Sequence, residues 1–164
     1  MGSMPIYVKY GEIKGDVTAE GHKGEDGWVE VQSFQFGVSR NIISPTGGGK
    51  DRESGAPNIS EITVTKPTDV STTGWLDNAL QGNGVPCQID FCTTNAGSLE
   101  VYQTFTLENC LISGFTMSSG GDRPMENISI SFTKIEYQFH QQLSDNTTGD
   151  TPRTGYDIAL GKKV

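Results

Sequence analysis

Apolar and polar residues alternate along most of this chain, the period-two signature of β-strands half-buried against a core. Residues 5–10 set Ile6, Val8 and Tyr10 against Tyr7 and Lys9 and stop at Gly11. Segment 15–27 is turn-rich and predicts a surface loop. A second strand follows from Trp28 to about Ile43. On it Val29 and Val31 occupy odd positions, after which Phe34, Phe36 and Val38 join Trp28 on the even ones. From Ser33 onward the odd positions carry Ser33, Gln35, Gly37 and Ser39, with no charge among them. A change of phase near Ser33 predicts a bulge, or a strand that leaves one sheet for another.

Segment 44–58 holds prolines, glycines and the charged run Lys50-Asp51-Arg52-Glu53, with little to bury, and reads as a long projecting loop. Residues 59–66 alternate again until Pro67. The period then changes from two to that of a helix, expected over 71–81. Ser71 stands as N-cap, Val70 and Trp75 as a hydrophobic staple, Trp75, Leu76, Ala79 and Leu80 as the apolar stripe, and Gly82 as the stop. Residues 85–94 and a long strand ending near Met117 predict a hairpin about Asn95-Ala96-Gly97, with Val101, Phe105, Leu107, Leu111, Phe115 and Met117 on one face. After a loop at 118–124, Ile128, Ile130 and Phe132 alternate up to a second phase slip near Thr133. Ile135, Tyr137 and Phe139 then take the opposite parity. Tyr156, Ile158 and Leu160 offer a last edge strand. At least six strands, two of them kinked, with one helix predict a small antiparallel β-barrel or tight two-sheet sandwich flanked by that helix.

Composition narrows the function more than the fold. The 164 residues suit one domain, expected over 4–164 behind an expression scar at 1–3. Twelve basic against 20 acidic side chains give a net charge of -8, which repels phosphate backbones and anionic lipid and excludes nucleic acid as a natural partner. Three cysteines, Cys87, Cys92 and Cys110, form an odd set better read as thiols than as a disulfide framework. The opening residues lack the features of a secretory signal, and no apolar run is long enough for a membrane span.

Catalytic candidates are few. His22 and His140 are the only histidines, and no His/Cys spacing suits a metal. Cys87 and Cys92, five apart on one strand, point to opposite faces. Gly47-Gly48-Gly49-Lys50 lacks the first glycine, the hydroxyl residue and the following helix of a phosphate loop. No Gly-x-Ser-x-Gly nucleophile elbow is present. No catalytic role, cofactor or metal is assigned.

Several pieces together resemble a known family. They are Ile13-Lys14-Gly15-Asp16 with His22 after it, Trp28-Val29-Glu30-Val31, and Ser33-Phe34-Gln35-Phe36-Gly37. Ile62-Thr63-Val64-Thr65-Lys66 follows, leading through Asp69 and Ser71 to the helix, then the run from Glu126 to Phe132, and Gly155-Tyr156-Asp157-Ile158. In order and spacing this is similar to the haemolysin-coregulated protein (Hcp) family, tube proteins of the bacterial type VI secretion system. The family commonly has Gly-Glu where Gly15-Asp16 stands, and Ser-Pro where Ser71-Thr72 stands; both differences are conservative.

The resemblance implies a non-enzymatic subunit that forms six-membered rings stacked into a tube inside a contractile sheath. It further implies a spike protein at the tip, small effector proteins in the lumen, and assembly in the cytoplasm before export without a signal peptide. No fused toxin domain is expected after the barrel. Within that frame Ser33, Gln35, Gly37 and Ser39 are expected to face the lumen. Lys50, Asp51, Arg52 and Glu53 are expected to touch a neighbouring subunit or ring. Two rivals are a phage or contractile-particle tube protein and a monomeric ligand-binding barrel; the latter needs an apolar interior cavity, whereas this chain has enough large side chains to fill its own interior.

Overall fold

The computed structural model describes residues 4–43, 53–95, 97–142 and 148–164. Its strands begin with β1 (Ile6–Tyr10), β2 (Trp28–Val31), β3 (Ser33–Gln35), β4 (Val38–Ser39) and β5 (Ile42–Ile43). Then come β6 (Glu53–Ser54), β7 (Asn58–Ile59), β8 (Ile62–Pro67), helix α1 (Thr72–Gln81) and β9 (Val85–Asn95). The chain closes with β10 (Ser98–Ser118), β11 (Met125–Ser131), β12 (Lys134–Phe139), β13 (Arg153–Asp157) and β14 (Lys162–Lys163). Among the described residues the fold is mainly β with one α-helix, and every strand pairing is antiparallel.

Two sheets share β10. The first runs β2-β1-β9-β10-β12-β13-β14, the second β3-β8-β11-β10. Three segments bend as they pass from one sheet to the other. β2 pairs with β1 and β3 with β8, and between them the Gln32 N–H donates to the Thr65 carbonyl at 2.7 Å. The phase change near Ser33 is therefore a change of sheet. β11 and β12 divide at Thr133 in the same way, as its sequence slip predicts.

The third bend, in β10, breaks the parity expected of a single long strand. Asn109 adopts a left-handed φ of 53°, and the pairing with β9 shifts between Leu107 and Cys110. Phe105 and Leu107 reach the core from odd positions, Cys110 and Ile112 from even ones, and Leu111 and Met117 are exposed rather than buried. Gly84 lies against this bulge so closely that a Cβ there would sit 1.8 Å from Asn109 Oδ1.

The core joins Val8, Val29, Val31, Ile89 and Leu107 of the first sheet to Ile62, Val64, Ile128 and Ile130 of the second. Each such fully buried aliphatic side chain stabilises by about 1.5–3 kcal/mol, which is why the chain accepts a bend at Ser33 to keep Phe34 and Phe36 against it. Two residues leave the face their parity suggested. Trp28 packs with Tyr7 and Cys92 on the other side of the first sheet, and Val38 is exposed.

Segment 15–27 is more than a surface loop. It straps across that second cluster, contributing Val17 and Ala19, and is tied back on itself by Gly24 N–H to Val17 O at 2.7 Å and Gly15 N–H to Gly24 O at 3.2 Å. A Cβ on Gly24 would fall 1.9 Å from the Gly15 carbonyl oxygen, so only glycine closes the strap.

Helix α1 differs from expectation in its caps and in its face. Ser71 has helical dihedrals (-78°, -12°) and makes no side-chain capping bond. Its hydroxyl instead accepts from Trp75 Nε1 at 3.1 Å. Asp69 does the capping: its carboxylate accepts the Ser71 N–H at 2.8 Å while Thr72 Oγ1 accepts the Asp69 N–H at 3.1 Å, the reciprocal pattern of a capping box. Val70 is exposed, so no staple forms with the buried Trp75, and Leu76 and Leu80 are also exposed. The stripe narrows to Trp75 and Ala79 because Gly74 approaches Ile13 closely, a Cβ there meeting Ile13 Cγ1 at 3.1 Å. Gly82 is extended (φ -96°) rather than left-handed and is needed for space, since its Cβ would lie 2.6 Å from Asn78 O.

Beyond β3 and β8 the two strands continue as a ribbon, β4 on β7 and β5 on β6. From Gln35 to Val38 three steps on the outgoing strand face four, from Thr63 to Ile59, on the return; from Ser39 to Ile42 three again face four, from Asn58 to Ser54. Each extra residue bends and twists the ribbon. Part of the predicted structureless loop is thus paired backbone, at Glu53, Ser54 and Asn58. Residues 44–52 lie outside the described residues. The last predicted strand is also displaced, to 153–157, and the short β14 pairs outside it as the edge, leaving Ile158 and Leu160 exposed in the turn between the two.

Candidate functional site

The outer face of the second sheet carries two uncharged polar rows across its four strands, bordered by the exposed Glu61, to which Ser113 Oγ donates. Ser33 stands opposite Thr65, Thr65 opposite Asn127, and Asn127 opposite Thr116. In the next row Gln35, Thr63, Ser129 and Gly114 are aligned the same way. Hydroxyls bridge the strands: Ser33 Oγ to Thr65 Oγ1, and Thr63 Oγ1 to Ser129 Oγ at 3.4 Å. All eight positions are uncharged and none is buried. The face exists because the alternate residues Phe34, Val64, Ile128 and Phe115 are turned to the core. Phe34 is fixed there by an edge contact with Phe91 at 4.9 Å between ring centroids and a tilted one with Phe105 at 5.0 Å. Ser33 and Gln35 are therefore part of a four-strand hydroxyl and amide surface. Sequence reading found one strand of it and missed the other three, whose polar residues look like ordinary outward positions until the register aligns them.

Gly37 and Ser39, both exposed, carry the polar edge onto the ribbon, where the Gly37 N–H donates to Ser60 Oγ at 2.9 Å and Ser39 pairs with Asn58. Glu53 pairs through its backbone with Ile43. Lys50, Asp51 and Arg52 lie outside the described residues. On the other side of the ribbon's root, an apolar groove of about 310 Å³ opens between Phe36, Val38 and Ile59 and the residues Phe105, Tyr137 and Tyr156.

Two buried polar clusters hold the flanks. Lys66 and Glu126 face each other across β8 and β11, both fully buried, with Nζ to Oε1 at 3.0 Å. Lys66 also reaches Asp69 at 2.9 Å and the Pro67 carbonyl at 2.9 Å, and Thr72 donates to the second Glu126 oxygen. The helix start is thereby locked to the end of the second sheet, and these are residues of the motif that carried the resemblance. The second cluster joins His22 Nε2 to Asp90 Oδ2 at 2.8 Å beneath the strap, with Thr104 and Gln88 donating to the other Asp90 oxygen at 3.0 Å each. The His22 ring stacks on Tyr7 and meets the edge of Trp28. His140 is half-buried at the end of β12, its N–H donating to Tyr102 O at 2.8 Å.

The thiols are inert by environment. Cys87 lies in the main core and Cys92 in the second cluster, on opposite faces as the spacing predicts. Burial first, and then the hydrogen-bonded Cys110, push the Cys87 thiol well up; burial and then the Asp90 charge push Cys92 up to about 12. A thiol held protonated is a poor nucleophile and a poor metal ligand. Among the described residues no three His, Cys, Asp or Glu side chains converge as for a metal, and no helix is long and apolar enough to cross a membrane.

Residues 7–139 match the protein family described as "Type VI secretion system effector, Hcp". This chain belongs to the Hcp family. It is 26% identical over 161 residues to the protein hcp1 of Pseudomonas aeruginosa, covering 95% of this chain and 96% of that one. Among solved structures, one described as a type six secretion system protein superposes with a TM-score of 0.87 at 22% identity, covering 99% of this chain and all of the other. Hcp1 from Salmonella typhimurium superposes at 0.77 with 18% identity, covering 99% of each chain. These likenesses cover nearly the whole chain.

Proposed function

We propose that this Hcp-family chain is the ring-forming subunit of a type VI secretion tube, in which the two sheets close into a small barrel, six copies make a ring, and rings stack inside a contractile sheath beneath a spike. The observation that carries the reading is the pair of uncharged polar rows across the outer face of the second sheet. A lumen wall that passes varied effector proteins needs a wet, sequence-tolerant surface. Rows of Ser, Thr, Asn and Gln supply hydrogen-bonding groups with no fixed charge to trap either sign. Ser33 and Gln35, with Thr63, Thr65, Asn127 and Ser129 beside them, form that wall, and Gly37 and Ser39 extend it. The ribbon beyond β3 reaches toward a neighbouring subunit or ring, and Lys50, Asp51, Arg52 and Glu53 supply contacts there. The subunit assembles in the cytoplasm, does no chemistry, and leaves with the tube.

Light scattering followed by negative-stain microscopy tests this. Rings with an open centre are expected at micromolar concentration, and a monomer near 17.7 kDa sinks the reading. Gln35→Arg is expected to keep the fold and the ring while reducing retention of small proteins in the lumen; loss of the fold with cargo retained would place Gln35 on the wrong face.

A further inference from the structure

Unpaired charge is distributed unevenly over the first sheet. Along the strap and β2, at one end, Asp16, Glu20, Glu25, Asp26 and Glu30 are all exposed, and none makes an ion pair with another described residue. Lys9, Lys14 and Lys23 interrupt this run, leaving it acidic by two charges. At the other end, β13 and β14 carry Arg153, Lys162 and Lys163, equally exposed and without an ion pair among the described residues. Glu30 on β2 and Lys162 and Lys163 on β14 are six strand spacings apart, roughly 29 Å along the sheet, against a Debye length of about 8 Å at physiological salt, and no ion pair among the described residues joins the two groups.

Shape matches charge. Beside the strap lies a notch of about 550 Å³ with Pro5, Tyr7, Ala19 and Leu99 in its lining and Glu20 and Glu30 at the rim. The β13–β14 turn presents Ile158, 43% exposed, and Leu160, 65% exposed, immediately before Lys162 and Lys163. That turn is rigid: the Leu160 N–H donates to Asp157 Oδ1 at 2.9 Å, and Gly161 supplies the left-handed φ of 66° that closes it. A preorganised apolar tip followed by two lysines is the complement of a notch whose mixed lining sets apolar side chains beside two carboxylates.

We propose that the β13–β14 turn of one copy docks in the strap notch of the next, Leu160 entering the notch while Lys162 and Lys163 meet Glu20 and Glu30. The contact is heterologous, using two different surfaces of the same chain, the kind that closes a ring when repeated about an axis. It rests on the ring reading above and assigns the residues that make it.

A charge exchange tests it. Lys162→Glu/Lys163→Glu and, separately, Glu20→Lys/Glu30→Lys are expected to convert the ring to monomer on size exclusion with light scattering, with circular dichroism unchanged. Mixed one to one, the two variants present only opposite-sign contacts in an alternating ring and are expected to return to the parent's mass. A ring that persists in either variant, or a folded monomer that mixing does not rescue, overturns the assignment while leaving the ring reading intact. A parent that is itself monomeric overturns the ring and this contact with it.

Discussion

Lys66 and Glu126 are the residues on which the fold takes the largest electrostatic risk. Two fully buried opposite charges 3.0 Å apart are desolvated at considerable cost, and what makes them tolerable is that each finds further partners, Asp69 and the Pro67 carbonyl for the ammonium and Thr72 for the carboxylate. Removing one partner is therefore worse than removing both. Lys66→Met is expected to destabilise by about 3–5 kcal/mol in urea unfolding, and Lys66→Met/Glu126→Met to recover most of that loss; equal losses in the two would show the pair to be incidental. The sequence displayed Lys66 at a position of buried parity and Glu126 at the head of an alternating strand, yet nothing local pairs residues sixty apart. Cys92 carries a second residue-scale expectation. Its thiol holds the proton more tightly folded than unfolded, because its value rises from 9.0 to about 12. Its contribution is intact below pH 9 and is lost as pH rises through 12. Urea midpoints are expected to fall over that window, with a shallower fall in Cys92→Ala, and all three thiols are expected to resist alkylation at pH 8 until the protein is unfolded.

Elements were legible where a period persisted and illegible where a single residue changed it. The hairpin of β9 and β10, the bend at Ser33 and the slip at Thr133 all follow from alternation, because burying a large apolar side chain outweighs the local cost of a kink. The bulge at Asn109 escaped notice because Leu111, Phe115 and Met117 keep an apparent odd parity although two of them are exposed. Its left-handed backbone makes a direct test: Asn109→Val is expected to cost about 1–2 kcal/mol, the usual penalty for an L-residue there, while Asn109→Gly leaves the unfolding midpoint nearly unchanged. The helix was placed correctly but capped two residues late. Ser71 has the right chemistry for a cap, and only the tertiary contact with the Trp75 indole diverts it. Asp69→Ala is expected to cost about 1 kcal/mol more than Asp69→Asn, since asparagine keeps an acceptor for the Ser71 N–H; equal costs would locate the effect in the Lys66 charge instead.

At the scale of the molecule, the ribbon of β4 to β7 is too narrow to be stable alone, and a two-stranded hairpin leaving Val38, Ile42 and Ile43 exposed gains from cover by another copy. Deleting residues 47–54 is expected to abolish ring stacking in electron micrographs without lowering the thermal midpoint of the subunit; tubes formed as readily as by the parent would exclude this role. Stacking is likewise expected to weaken with added salt, because contacts made by the charged run 50–53 are screened. The sequence by itself determined the class of fold, the sheet changes, the helix, the two-faced strand at Ser33 and Gln35 and, through the order of its motifs, the Hcp family. All of these depend on residues close together in the chain, where period and turn chemistry act directly. Tertiary structure alone decided what crosses between distant segments. It aligned Thr65, Asn127 and Ser129 beside Ser33 and Gln35, buried Lys66 against Glu126, and folded the strap over Tyr7, Trp28 and Cys92. Strand register sets those contacts, and register is fixed by packing both faces of a sheet at once, which no local stretch of sequence encodes.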